Sequence, residues 1–390
     1  MMTLNVNTPW VSFHLDEPVI RRRLKRMVRK YAWGLLMMTS SVSCVDGRVR
    51  SLVDDLRFVA ASAEPPALEP GDTVSITFEL ADPAVESPRT LDYLFMPCST
   101  SVLSPDCLES VSLATDPELV TEDGTLTEEG YRTYLETYLT TGQLQAGSMT
   151  FDVRTSPMLG FLLQSSGQTT PDGTEIPALE YLDGQVSLLV CADGSCEGLL
   201  SEIQAVLDGA PAAYTAQELV QGLGSGSLLS ELPMNLTARA TKGYRMAVKE
   251  PYLSNLNPTL GKLEVQNQTL EETTDDDRPR GALASAAEPG VNYTLTLTLD
   301  PSILQTYDIE AEDGSLTSVT ERLQVHWFST VGEISPQEMR LEELTEPVTA
   351  TLSLPVSALE QPFTLWVSLT DDRLGSTWRR ETLTLGPTVP

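Results

Sequence analysis

The sequence predicts a mainly β chain that folds as two antiparallel β-sandwich domains, with one helical insertion in the first and a helical connector between them. Three observations carry this. Runs of period-2 alternation rich in β-branched and aromatic residues are bounded by Pro and Gly turns, as strands with one buried and one wet face require. The same pattern recurs 219 residues further on, at Val74 and again at Tyr293. Only short stretches carry helical periodicity. With 41% hydrophobic and 21% charged residues over 390 positions, the chain has enough apolar material for such cores. Its 25 Lys and Arg against 55 Asp and Glu give a net charge of -30, which argues against nucleic acid as a partner because phosphate binding needs a basic surface.

Residues 1–43 differ in kind from the rest. They hold seven basic residues, from Arg21 to Lys30, and two acidic ones, Asp16 and Glu17. The remainder has 18 basic and 53 acidic residues, a net of -35. After the basic cluster comes Ala32-Trp33-Gly34-Leu35-Leu36-Met37-Met38-Thr39, then Ser40-Ser41-Val42-Ser43 and Cys44. A positive segment, a short apolar run and small residues before a cut form the layout of a secretory signal, and the run is shorter than the roughly 20 residues a bilayer span needs. An amphipathic or buried N-terminal helix is the alternative. Reading from Met27 gives a more compact signal, and Met27 is the expected start. Val42-Ser43-Cys44 resembles the cleavage region of bacterial lipoprotein signals, with Ser41 where that pattern usually has Leu. The resemblance implies a lipid on Cys44 and a membrane anchor. In that family an Asp directly after the Cys retains the protein at the inner membrane; Val45 in that slot implies the outer membrane.

Five cysteines are an odd number, and setting Cys44 aside leaves Cys98, Cys107, Cys191 and Cys196 to pair. An exported chain permits disulfides, whereas a cytosolic one with these spacings would first suggest metal ligands. Zinc ligand pairs usually have about two to four residues between them. Three pairings are open, and the local ones, Cys98 with Cys107 and Cys191 with Cys196, are favoured.

Residues 44–55 read as a polar tether lifting the body off the membrane. The first domain is expected over 56–197. Leu56, Phe58 and Ala60 alternate with Arg57 and Val59; Pro65-Pro66 breaks the run; Pro70-Gly71-Asp72 marks a turn; Val74, Ile76, Phe78 and Leu80 form the next strand. Leu91–Phe95 and Val186–Val190 add strands. Tyr131, Tyr134, Leu135, Tyr138 and Leu139 fall at helical spacing, and Thr125 with Glu128 can form a capping box, which places an inserted helix at about 125–141. Residues 198–240, with Leu199, Leu200, Ile203, Val206, Leu207, Leu219 and Val220, read as a helical connector. The second domain is expected over 241–390. There Tyr293, Leu295, Leu297 and Leu299 repeat the strand after the Pro-Gly turn, Leu323–Trp327 follows, and Val348–Leu354, Phe363–Leu369 and Trp378–Leu385 complete the set. A Trp late in a central strand suits the core of an immunoglobulin-like sandwich, and two such domains are the predicted architecture.

Candidate chemistry is sparse. The tyrosine stripe could stack sugars or dock a partner, but such a stripe more often packs on its own domain. Asp275, Asp276 and Asp277 are weak calcium candidates without the spacing of a known loop, and Asp371-Asp372 and Asp82 share that discount. Past residue 43 the one histidine is His326, in a strand beside Trp327, and no Gly-x-Ser-x-Gly or His-Glu-x-x-His motif accompanies it. The expectation is therefore no catalytic residue and no cofactor, calcium being the one candidate.

The phrase Ala63-Glu64-Pro65-Pro66, the following Pro70-Gly71-Asp72-Thr73-Val74 and the repeated sandwich resemble outer-membrane lipoproteins of the kind abundant in myxobacteria. That likeness implies a cell-envelope protein and carries no catalytic residues over. The expected function is a non-enzymatic lipoprotein, membrane-bound through its lipid, that binds an envelope protein or polysaccharide. An accessory subunit that braces an envelope complex is the alternative, and a calcium-dependent hydrolase the third.

Overall fold

Alternation along the chain is realised as strands that pair into two stacked bodies. The computed structural model describes residues 51–385 apart from 84–88, 100–118, 120, 122–125, 166–179, 226, 229–231, 234, 266–267, 271–281, 284–291, 311–315 and 356–361. The expected signal 1–43, Cys44, Cys107 and Asp275–Asp277 lie outside the described residues.

The first half contains β1 (Arg57–Glu64), β2 (Ala67–Leu68), β3 (Thr73–Ala81), β4 (Leu91–Ser99), β5 (Thr140–Leu144), β6 (Gly147–Arg154), β7 (Tyr181–Cys191) and β8 (Thr237–Ala247). They form a sheet β1-β3-β6 facing a sheet β2-β8-β7-β4-β5. The register of β3 on β6, from Thr73 opposite Arg154 to Leu80 opposite Gly147, sends Val74, Ile76, Phe78 and Leu80 inward. They meet Leu91, Phe95, Val186, Leu188, Val190 and Tyr244 from the other sheet. Phe95 stacks on Phe151 with centroids 4.2 Å apart, and Phe78 meets the same ring edge-on at 6.4 Å. Gly71, at φ 102, makes the turn into β3 in a conformation that side chains resist.

Among the described residues this half carries the helices α1 (Glu128–Tyr138), α2 (Met158–Ser165), α3 (Glu197–Leu207) and α4 (Ala216–Ser225). The cap of α1 is Thr127, whose hydroxyl accepts from the Gly130 N–H at 3.1 Å, rather than Thr125. Tyr131, Tyr134 and Leu135 pack with Ile203, Val206, Leu219 and Val220 onto Leu94, Met96 and Leu189, on the outer face of the larger sheet. The tyrosine stripe is thus covering its own domain. Helix α2, which the sequence pattern did not suggest, seats Leu159 and Leu163 in the core between the sheets.

Two boundaries are corrected. Residues 198–240 are no connector, because α3 and α4 lie on the first half, and β8 runs antiparallel to β7 from Thr237 opposite Cys191 to Ala247 opposite Tyr181. Its inward positions Ala238, Ala240, Tyr244 and Met246 complete the first core, so this half extends to Ala247 rather than ending at 197. The stretch 44–55 is not a free tether where it is described. Ser51 and Val53 are buried, and their backbones exchange hydrogen bonds with Ser329 at 2.7 Å each.

The second half contains β9 (Lys262–Val265), β10 (Gln268–Leu270), β11 (Ala282–Leu283), β12 (Asn292–Thr298), β13 (Thr306–Glu310), β14 (Leu316–Thr320), β15 (Leu323–Ser329), β16 (Glu333–Ser335), β17 (Glu338–Leu341), β18 (Val348–Ser353), β19 (Phe363–Asp371) and β20 (Ser376–Leu385). Its sheets are β10-β9-β12-β18-β16 and β11-β20-β19-β15-β17, with β13 and β14 as a separate hairpin. The order of the second sheet repeats that of β2-β8-β7-β4-β5, including its edge, since β2 runs parallel to β8 as β11 does to β20. Tyr293, Leu295, Leu297, Trp327, Val348, Leu365 and Val367 fill the core between the two sheets. The fold is mainly β and sandwich-like.

Candidate functional site

Two places gather unusual residues: a groove on the first half and a buried polar seam between the halves.

The groove lies where α3 overhangs the end of the larger sheet. Helical spacing turns Glu197, Leu200, Ser201, Gln204 and Leu207 towards Asp92 on β4 and Thr141 to Gln143 on β5, enclosing about 670 Å³. The rim is polar and acidic, with Gln143 Nε2 donating to Asp92 at 3.2 Å. The β5 backbone lies close against the sheet, because a side chain at Gly142 would meet the Tyr93 ring at 2.8 Å. Cys191 and Cys196, both fully buried, are joined in a disulfide with Cα atoms 5.8 Å apart, and this bond ties the end of β7 to the start of α3. It is the local pair expected from spacing.

The seam is built by the β19–β20 turn, Asp371 to Ser376, which inserts beside β8 and β1. Lys242 Nζ on β8 donates to the Leu374 carbonyl at 2.6 Å and to Ser376 Oγ at 2.7 Å, and that hydroxyl donates to the Ala61 carbonyl at 2.6 Å. Leu374 holds a positive φ of 78, a left-handed backbone rarely adopted by branched residues. Asn257 donates to the Ala63 carbonyl at 2.7 Å and accepts the Ser376 N–H at 2.8 Å. Arg373 pairs with Glu321 at 3.1 Å in a site nearly closed to water. A few residues away, Glu79 accepts from Trp366 Nε1 at 3.1 Å and from Arg380 at 3.3 Å. Val53, Val59, Ala81, Phe328 and Trp366 form a small apolar patch beside it.

Burial sets the charge states there. It pushes Lys242 down to about 8, with Asp371 opposing. It pushes Asp371 up to about 6, offset by the N–H groups of Arg373 and Gly375, and Glu321 up to about 7, offset by Arg373.

The remaining candidates have structural partners. Asp82 is held by Arg89 at 2.8 and 3.1 Å. Asp371 accepts two backbone N–H groups of its own turn, at 2.8 and 2.7 Å. His326 lies opposite Glu338 with its ring 6.4 Å from that of Phe328, and burial lowers its pKa. Cys98 sits on β4 opposite Gln185. Among the described residues no group of three or more His, Cys, Asp or Glu is placed to hold a metal. No described helix is long and apolar enough to cross a membrane.

Apart from Asp371, named only as a discounted calcium candidate, the seam residues were missed by sequence reasoning, although one signal was present. Lys242 occupies an inward position in the run Ala238, Ala240, Lys242, Tyr244, Met246, where a cation needs a buried partner.

No family model matches the chain. The search of curated proteins also gives no match. Among solved structures, the chain is similar to Escherichia coli alpha-2-macroglobulin activated by porcine elastase, at 10% identity and a TM-score of 0.18, covering 85% of this chain and 22% of that one. A DUF4785 family protein from Legionella pneumophila is similar at 9% identity and a TM-score of 0.18, covering 85% and 57%. The Yersinia pseudotuberculosis adhesin InvE is similar at 11% and 0.15, covering 87% and 61%. The chain thus spans less than two thirds of each, and likenesses of this grade say nothing of activity.

Proposed function

We propose that this chain is a non-enzymatic cell-envelope lipoprotein, anchored in the outer membrane through Cys44, whose two immunoglobulin-like halves hold a recognition surface for a protein or polysaccharide. The observation that carries the recognition reading is the open groove between β5 and α3, which offers a strand edge, apolar positions and an acidic rim together. The immunoglobulin-like assignment is supported by the facing of β1-β3-β6 on β2-β8-β7-β4-β5 and its repetition in the second half. The anchor rests on the sequence around Cys44.

Two measurements test the reading. Replacing Cys44 by Ala should abolish palmitate labelling and release the protein from the membrane fraction; persistent labelling defeats the anchor. The chain without its leader should bind whole cells or a glycan or protein array, with loss of binding when the groove is filled. The accessory-subunit reading draws support from the interlocked seam, which suits a rigid brace. A partner of fixed stoichiometry in detergent extracts, with no binding by the isolated chain, would favour it.

A further inference from the structure

We infer that the groove takes an extended, basic segment of a partner protein as an added strand on β5, an inference that rests on the recognition reading above and names its ligand class.

Strand β5 ends the sheet order β2-β8-β7-β4-β5, and among the described residues it pairs with β4 alone. In an antiparallel ladder alternate backbone groups of an edge strand face away from its neighbour, ready to bond another chain. Edge strands are normally blunted by Lys, Pro or an inward charge. The residues of β5, Thr140-Thr141-Gly142-Gln143-Leu144, contain none of these, and the first four are exposed. What lies over this edge is α3, so an entering strand would run between a strand and a helix, with backbone bonds on one side and side-chain sockets on the other. Leu139, Leu200, Ile203 and Leu207 supply apolar sockets.

The charge of the occupant follows from the lining. Among the described residues that line it, Asp92 and Glu197 are the charged members, both acidic, in a chain of net charge -30, while the nearby Arg89 and Arg132 are engaged with Asp193 and with Glu129 and the Val206 carbonyl. Cationic side chains alternating along the segment would meet them. A sugar is the less suited ligand because carbohydrate sites stack rings on aromatic platforms, and among the described residues no Trp, Tyr or Phe lines the groove. The nearby Tyr131 and Tyr134 are buried beneath the helices.

The test uses the full chain, immobilised, with two extended decapeptide libraries: one with Lys or Arg fixed at alternate positions, the other with Glu fixed there. The basic library should be enriched, with binding that weakens as salt rises. Ser201→Trp, at an exposed position lining the groove, should lower affinity for the selected peptides by at least about tenfold, and Glu197→Lys by a similar order through lost charge complementarity. Amide exchange at Thr140–Leu144 should slow when peptide is bound. Equal or reversed enrichment, affinity unchanged in both variants, or protection confined to other strands overturns the inference. Glycan binding abolished by Ser201→Trp would make the groove a sugar site and overturn it too. Binding to cells or glycans that survives Ser201→Trp defeats the groove as ligand site and leaves the wider recognition reading standing, whereas binding to nothing defeats both. Should Ser201→Trp fail to fold, the exposed Glu197→Lys decides.

Discussion

The two halves repeat one strand order but cover their larger sheets differently. In the first half the outer face of β2-β8-β7-β4-β5 lies under α1, α3 and α4, through an apolar layer containing Leu94, Met96, Tyr134, Leu135 and Leu189. In the second half the corresponding face carries Phe328 and Trp366, and what packs on them is Val59 and Ala81 of the first half together with Val53 of the segment before β1. A bulge in β1 between Phe58 and Ala60 accompanies this, for it leaves Phe58 and Ala61 in the first core while Val59 joins the seam. The helical cover is almost wholly hydrophobic. The seam is half polar, with buried charges at Glu79, Lys242, Glu321 and Arg373. Apolar burial is non-directional and tolerates adjustment, while buried charges demand defined geometry. The difference teaches that the helices stabilise the first half, whereas the seam fixes how one half sits on the other.

The comparison breaks hardest at the buried ion pair. Arg373→Met should cost about 4 kcal/mol at a pH of about 8, where Glu321, pushed up to about 7, is ionised and would be left buried without its cation; urea unfolding should show the loss and, if the seam fixes orientation, a separation into two transitions. A single transition whose midpoint does not move would mean that the halves do not depend on the pair. In the helical cover, Leu135→Ala should cost about 3 kcal/mol by opening a cavity, within one cooperative transition. Opening the disulfide with Cys191→Ala and Cys196→Ala together should cost about 2 kcal/mol, the value for so short a loop, and should loosen α3 in hydrogen exchange before any other helix. The smallest effect is at the α1 cap, where Thr127→Ala should cost about 1 kcal/mol, read from the urea midpoint.

The seam should carry a pH signature of its own. Glu321 and Asp371 keep protons up to about 7 and about 6 in the fold. Ordinary carboxylates release theirs near roughly 4. Between those values the folded chain holds more protons than the unfolded one, so the contribution of these groups to stability falls as pH rises from about 4 to 7. Lys242, lowered to about 8, acts in the opposite sense: from there to its ordinary value of roughly 10.4 stability rises with pH. Urea midpoints across the acid window should therefore show a slope that Glu321→Gln flattens and Leu135→Ala leaves in place.

Much of the first half was legible because its strands keep one wet face. Val74, Ile76, Phe78 and Leu80 alternate as read, and the six-residue span from Cys191 to Cys196 carries its own bridge. Strand β1 was misread in part, since Arg57 and Val59 look solvent-facing by alternation yet are buried. The groove could not have been read at all. Gln143 and Ser201 are far apart in sequence and individually ordinary, and only the docking of α3 onto the sheet brings them together.

What the sequence determined by itself was the local grammar: which runs are strands, which face of α1 is apolar, that the pattern is written twice, and that the chain carries a large acidic excess. Each follows from side-chain period and composition, which act over a few residues. What tertiary structure alone decided was the company those elements keep. That β8 closes the first sheet, that Ser51 and Val53 bind Ser329, and that Lys242 meets Ser376 all depend on contacts across long separations in the chain. Such contacts are chosen by which faces remain uncovered after each sheet has formed, and no local pattern records that choice.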